Sequence, residues 1–352
     1  MRTMTDGKLL RAIGVLALLF TATAMAKDGD KPAKIFDRDD VIAVTIEGPW
    51  RAVARASNNT TTWPGQFSYT SADGSIVRIP VTISRRGLTR ARVCDFPPLR
   101  LDFDKEAAKG TAFRGAGNLK LVTHCFQSER YSQYYVKEYL AYRMYNLVTP
   151  LSFRVQGLDA RYVEAGNDSK AVERFAFLIE DPDDIAKRND LEKLTIKETK
   201  PSQLDPLQTD RYVMFQYLIG NLDWAVLSGP GETCCHNARL LAPPGGGLIT
   251  PVPYDLDSSG LVNAHYAAPP AALRVRDVTD RLYRGFCAHN GEVPGVLQEF
   301  RALQPQFMAM IENEPRLNER TRKEASRYLA DFYEELETDK DVQRKLIGNC
   351  RG

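Results

Sequence analysis

Five side chains in one stretch have the types and spacing to do chemistry on phosphate. The stretch is QYLIGNLDWAVLSGPGETCCHNARLLAPPGGGLITPVPYDLD, residues 216–257, and the side chains are Asn221, Asp223, Asn237, Asp255 and Asp257. Phosphoryl transfer needs a carboxylate to take the proton of the attacking hydroxyl. It needs amide and carboxylate oxygens for a divalent cation, and a lysine on the nucleotide phosphates that a helix carboxylate orients. Those parts occur in that order along the chain. Lys120 lies in LKLVTHC and Glu138 in KEYLAYRMYN. Asp223 ends a helical run in GNLDW. Asn237 enters a strand in HNARLL, and Asp255 leaves the next strand in PVPYDLD, with Asp257 as an alternative or second metal ligand.

Each residue also has a plainer reading. Asn221 and Asp223 suit helix caps, and Asp255 and Asp257 suit turns. Lys120 could sit on a strand surface and Glu138 on a solvated helix face. Asp255-Leu256-Asp257 also reads as a DxD clamp of a nucleotide- or glycosyl-transferring enzyme. The cluster Arg85, Arg86, Arg90 and Arg92 either faces phosphates or guards a strand edge with charge. His124, His236, His265 and His289 show no triad partner, and no CxxC or HxxxH spacing points to zinc.

The elements that must position these residues fall into two halves. DVIAVTI, SIVRIPVTISRRG, FPPLRLDFD and LKLVTHC read as strands, with SNNTTTWPGQ as a loop between the first two. From Tyr131, helical spacing of Tyr135, Tyr139, Leu140, Met144 and Leu147 predicts a helix that Pro150 stops. LSFRVQG, ARYVEAG and RFAFLIE return to strand character. EDPDDIAKR reads as a turn into a short helix with Pro182 at its start. TDRYVMFQYLIGNLDW is helical, ARLLA and LITPVPY are a strand pair, and the chain from Val293 onward is helix-rich. The expectation is an α+β protein of two lobes: a β-rich lobe over 40–180 and a mostly helical lobe over 181–352, with a ligand cleft between.

The chain has 352 residues and a net charge of +2, so no strong field argues for nucleic acid. Arg2, Lys8 and Arg11 precede the short apolar run AIGVLALLF, and Ala24-Met25-Ala26 fits a processing site. This predicts a signal peptide over 1–26, then a flexible linker over 27–39. The mature chain would be exported, periplasmic or extracellular, without a membrane span. Six cysteines fit an oxidising compartment. Cys94 with Cys125 is one plausible pair, and Cys234 or Cys235 with Cys287 another. Adjacent Cys234 and Cys235 rarely bridge each other.

From RRGLTRARVCDFPPLRLDF to DRLYRG, through FQYLIGNLDW, HNARLL and PVPYDLDSSGLVNAHYAAP, the chain resembles the spore coat protein H (CotH) kinase-like family, in an exported bacterial branch. The resemblance implies an atypical protein-kinase fold, ATP with Mg or Mn, and a protein or small-molecule hydroxyl as acceptor. It implies Lys120 as phosphate anchor with Glu138 as its partner, Asp223 as catalytic aspartate, and Asn237 and Asp255 as metal ligands. Two departures stand out. SGPGETCC separates Asp223 from Asn237 by far more than the four residues of an HRDxxxxN loop, and no GxGxxG precedes Lys120, only FRGAGN. They leave open a pseudokinase-type binding or scaffold protein of the cell envelope.

Overall fold

The computed structural model describes residues 31–229 and 234–352, so the expected signal peptide lies outside the described residues. Seven strands come first. They are β1 (Ile42–Gly48), β2 (Thr62–Thr70), β3 (Ile76–Arg85), β4 (Leu99–Phe103), β5 (Asn118–Val122), β6 (Val155–Glu164) and β7 (Asn167–Ile179). They close into a barrel in the order β1-β2-β3-β4-β5-β7-β6. Every ladder is antiparallel except the closing one, where β1 runs parallel to β6 from Ile42↔Leu158 to Gly48↔Glu164. Closure removes the free edges that an open sheet would expose.

Alternation fills the barrel. Val44 and Ile46 of β1, Ile79, Val81 and Ile83 of β3, Leu99, Leu101 and Phe103 of β4, and Leu119 and Leu121 of β5 all point inward and are buried. The opposite side of β5 and β7 is also covered. Val122, Phe177 and Ile179 join a second core with helix α4 (Ser132–Val148). Three short helices decorate the barrel: α1 (Trp50–Arg55), α2 (Thr89–Val93) and α3 (Lys105–Ala108).

The remainder is α5 (Pro182–Arg188), β8 (Glu192–Leu194), α6 (Pro206–Leu218), β9 (Ala238–Ala242), β10 (Thr250–Pro253), α7 (Val293–Glu312), α8 (Glu319–Glu335) and α9 (Asp339–Lys345). The last three strands form a separate sheet, β10-β9-β8. Helix α4 packs on β6, β7 and α7, so the second core runs unbroken from the barrel wall into the helices.

This corrects the expected kinase-like, two-lobed fold. The chain is α+β, but its first seven strands are a closed mixed barrel with a small sheet and helices against it. The reason is the β1–β6 pairing, a contact between strands more than a hundred residues apart that local alternation does not encode. One expected loop is partly strand: β2 occupies the second half of SNNTTTWPGQ, with Trp63, Pro64 and Gly65 paired to Ile83, Thr82 and Val81. Ahead of the barrel, Lys34–Asp37 is a 3-10 turn whose Ile35 and Phe36 are buried.

The cysteines pair as Cys94–Cys125, Cys234–Cys235 and Cys287–Cys350. The first is as expected. The adjacent pair does bridge, and Cys287 takes Cys350 rather than either member of it. Disulfides of this number persist in oxidising compartments. No helix among the described residues is long and apolar enough to cross a membrane.

Candidate functional site

Asp223 is held by a loop that starts at the end of α6. Gly220 takes φ +61, a left-handed conformation, and a Cβ there would collide with the Tyr328 hydroxyl. The chain then turns through Asn221, whose Oδ1 accepts from the Asp223 amide at 3.0 Å. The Trp224 indole N–H donates to the Asn221 carbonyl at 2.9 Å. Arg284 Nη1 donates to the Leu222 and Trp224 carbonyls, at 2.8 Å each.

The segment after Asp223 returns to the same place. Ala225 and His236 exchange backbone hydrogen bonds, which sets Asn237 beside Asp223 despite the long insertion. Asn237 Nδ2 donates to the Asp223 carbonyl at 2.7 Å and to Oδ2 at 3.0 Å. His236 Nε2 lies 2.7 Å from Asp223 Oδ1. An ionised carboxylate only accepts, so the imidazole donates. The Asp223 side chain is 36% exposed, so an acceptor can reach it.

The β9–β10 hairpin supplies the next wall. The Tyr254 amide donates to the Asn237 carbonyl at 3.1 Å, which places Asp255 just beyond Asn237. Asn237 and Asp255 have φ of 47° and 58°, in the left-handed region that Asn and Asp enter more readily than other residues. Such conformations gather at functional sites. The Asp255 amide is held by the buried Tyr142 hydroxyl of α4 at 2.9 Å.

Behind Asp255 lies a buried acidic set. Glu138 of α4 is 1% exposed and Asp257 is 8% exposed. Arg90 Nη1 meets Glu138 Oε2 at 3.3 Å, and Arg90 Nη2 donates to the Thr123 carbonyl at 2.9 Å. Tyr266 donates to Asp257 at 2.8 Å. Burial, and then the charge of Asp257, push the Glu138 carboxyl upward against the pull of Arg90. Burial and Asp255 likewise raise Asp257. Arg90, with Arg86 farther off, pulls the Glu138 and Asp257 carboxyls down, and burial with the neighbouring carboxylates still outweighs that pull, which favours a bound proton or a further cation there.

In front of Asp255 is a basic set. Lys120 alternates to the outside of the barrel, with Nζ 4.0 Å from the centre of the Tyr254 ring. Arg239 Cζ lies 4.6 Å from the same ring, and Arg86 Nη1 donates to the Tyr254 hydroxyl at 3.3 Å. Arg100 pairs with Lys120 across β4–β5. Burial, then Arg239 and Arg86, push the Lys120 amine down to about 7, with Asp255 opposing.

Lys120, Glu138, Asn221, Asp223, Asn237, Asp255 and Asp257 thus all lie on these walls. Glu138 does so with a different partner: its ion pair is with Arg90, not Lys120. Arg90, expected with Arg85, Arg86 and Arg92 to face phosphates or guard a strand edge, is instead a buried ion-pair partner of Glu138. The set is all oxygen on the cation side, as Mg or Mn prefers. Because Asn237 Nδ2 is committed to Asp223, its Oδ1 is the end left for a cation. Among the described residues, no group of three His, Cys, Asp or Glu side chains is arranged as a metal centre. Mg usually binds through one or two carboxylates plus the phosphates of a substrate. Compared with known protein-family models and with curated proteins, this chain finds no match.

Proposed function

We propose that the protein is an exported enzyme that transfers a phosphoryl group from ATP, with Mg or Mn, to a hydroxyl acceptor. The observation that carries this reading is the convergence of Lys120, Arg86 and Arg239 on Tyr254, directly before Asp255 and Asn237. Partly buried cations crowded together favour a polyanion between them. The reading rests on the site and not on the barrel, since fold and chemistry vary independently.

The roles follow from position. Lys120, Arg86 and Arg239 bind the nucleotide phosphates. Asn237 Oδ1 and Asp255 would hold the cation, with Asp257 behind them, and the cation would neutralise phosphate charge. Asp223, fixed by His236 and Asn237, takes the proton as the acceptor oxygen bonds to the γ-phosphorus. The bond from that phosphorus to the β–γ bridging oxygen breaks, and ADP leaves. Arg90 keeps Glu138 and the α4 face in register with Asp255 through Tyr142.

Lys120 supplies the test. Its amine is cationic below about 7 and neutral above it. A polyphosphate favours the cation, so binding takes up a proton as pH rises. ATP affinity should fall between about pH 7.5 and about pH 9, by up to about tenfold per unit. The nucleotide's own charge is constant there. In Lys120→Ala, affinity should be weaker and its pH slope gone. A plain DxD clamp at Asp255 and Asp257 would keep wild-type affinity in that variant, and that outcome would replace the present reading.

A further inference from the structure

The half-buried Cys234–Cys235 bridge directly precedes His236 and Asn237, the two residues whose side chains hold the Asp223 carboxylate. The other two bridges span 31 and 63 residues, so each restricts the unfolded chain and ties together parts far apart in sequence. A bridge between neighbours closes no loop. It does little for the stability of the whole chain, and its effect is local. Neighbouring side chains in an extended chain point to opposite sides. The bridge keeps both sulfurs on one side, where Cys234 Sγ lies 3.5 Å and Cys235 Sγ 3.2 Å from the Val226 carbonyl oxygen.

That place suits a bridge and not a pair of thiols. A disulfide has no S–H. Each thiol has one to donate, and the Val226 carbonyl already accepts from the Thr199 hydroxyl at 2.8 Å. Its remaining lone pair serves one thiol, so the other must turn away. Cys234 is tied down, since its amide donates to the Ile196 carbonyl at 2.8 Å. The turn therefore falls on Cys235, which leads into His236. The Ala225 amide donates to the His236 carbonyl at 2.9 Å, and the His236 amide donates to the Ala225 carbonyl at 3.0 Å. That pair aligns His236 and Asn237 with Asp223.

We propose that the Cys234–Cys235 bridge is a thiol-exchange site whose opening releases His236 and Asn237 from Asp223. The reactant is a dithiol. Its first thiolate attacks one bridge sulfur, the Cys234–Cys235 bond breaks, and a mixed disulfide forms. The second thiolate of the reactant attacks that mixed disulfide, closes the reactant's own disulfide and frees the second cysteine. Each freed cysteine takes a proton from water, and two electrons pass from the dithiol to the bridge. A disulfide reactant runs the sequence backward and restores the clamp on Asp223.

The inference does not depend on the phosphoryl-transfer reading, and its test involves no nucleotide. The folded wild-type protein is treated with increasing dithiothreitol and alkylated, and the opened cysteines are mapped by mass spectrometry. Amide hydrogen exchange is followed in parallel. Cys234 and Cys235 should open while Cys94–Cys125 and Cys287–Cys350 stay closed. Exchange at the Ala225 and His236 amides should then rise by about tenfold or more, with the amides of β1 unchanged, and reoxidation should reverse the rise. The proposal is overturned if Cys234 and Cys235 open only together with the other bridges. It is equally overturned if they open and the two amides keep their protection, or if the rise spreads to β1.

Discussion

Asp223→Asn should lower phosphoryl transfer by about 10²–10⁴-fold and leave nucleotide binding nearly intact. The carboxylate is 36% exposed, and its two oxygens are oriented from behind by His236 and Asn237. Each oxygen keeps a further lone pair for a hydroxyl proton. An asparagine preserves the shape but cannot accept that proton. Its amide also sets a donor against either His236 Nε2 or Asn237 Nδ2. The cations proposed to bind phosphate, Lys120, Arg86 and Arg239, gather on Tyr254 and are left as they are. Single-turnover transfer from labelled ATP, measured beside ATP affinity, separates the two effects. Equal losses in both would make Asp223 a structural cap, and unchanged transfer would remove it from the mechanism.

The largest expected stability loss is at Arg90. Arg90→Ala leaves the buried Glu138 without its partner and the Thr123 carbonyl without its donor. Breaking a buried pair in this way costs about 3–5 kcal/mol. The pH dependence has a definite sign. Folding raises the Glu138 pKa, so the folded state holds its proton after the unfolded chain has lost it. Such a group favours folding at low pH, and that contribution falls as pH rises from the ordinary carboxylate range toward the raised value. Removing Arg90 raises the folded value further. The deficit of the variant should therefore be level from about pH 4 through neutral pH and grow above about 8, where the wild-type carboxyl ionises, as read by denaturant unfolding. A deficit that does not vary with pH would mean that Arg90 acts by packing alone.

The local elements around the site were legible in the sequence. The run from Tyr135 to Leu147 is α4, Pro182 opens α5, and PPGGG joins β9 to β10. These signals are short-range: helical spacing, a proline at a helix start, glycines in a turn. The adjacency of Asp223 and Asn237 was legible only from their order, because the sequence does not show that Ala225 and His236 pair. The barrel was not legible. Its closure depends on the register of β1 against β6, and each strand alone fits an open sheet equally well. β2 was missed because Asn58, Asn59, Thr60 and Pro64 carry turn chemistry into the start of a strand. Arg90 was missed because burial decides whether an arginine is a guard or an ion-pair partner, and burial is a tertiary property.

The central claim is that Asn237 and Asp255 hold a cation together with nucleotide phosphates. It is tested most directly by calorimetric titration of the protein with ATP, with Mg or Mn and without either, beside Asp255→Ala. The predicted result is binding that requires ATP and metal together, weak binding of metal alone, and loss of the metal-dependent part in the variant. The contradicting result is a well-folded wild type that binds no nucleotide with either metal, or binds it equally well in Asp255→Ala.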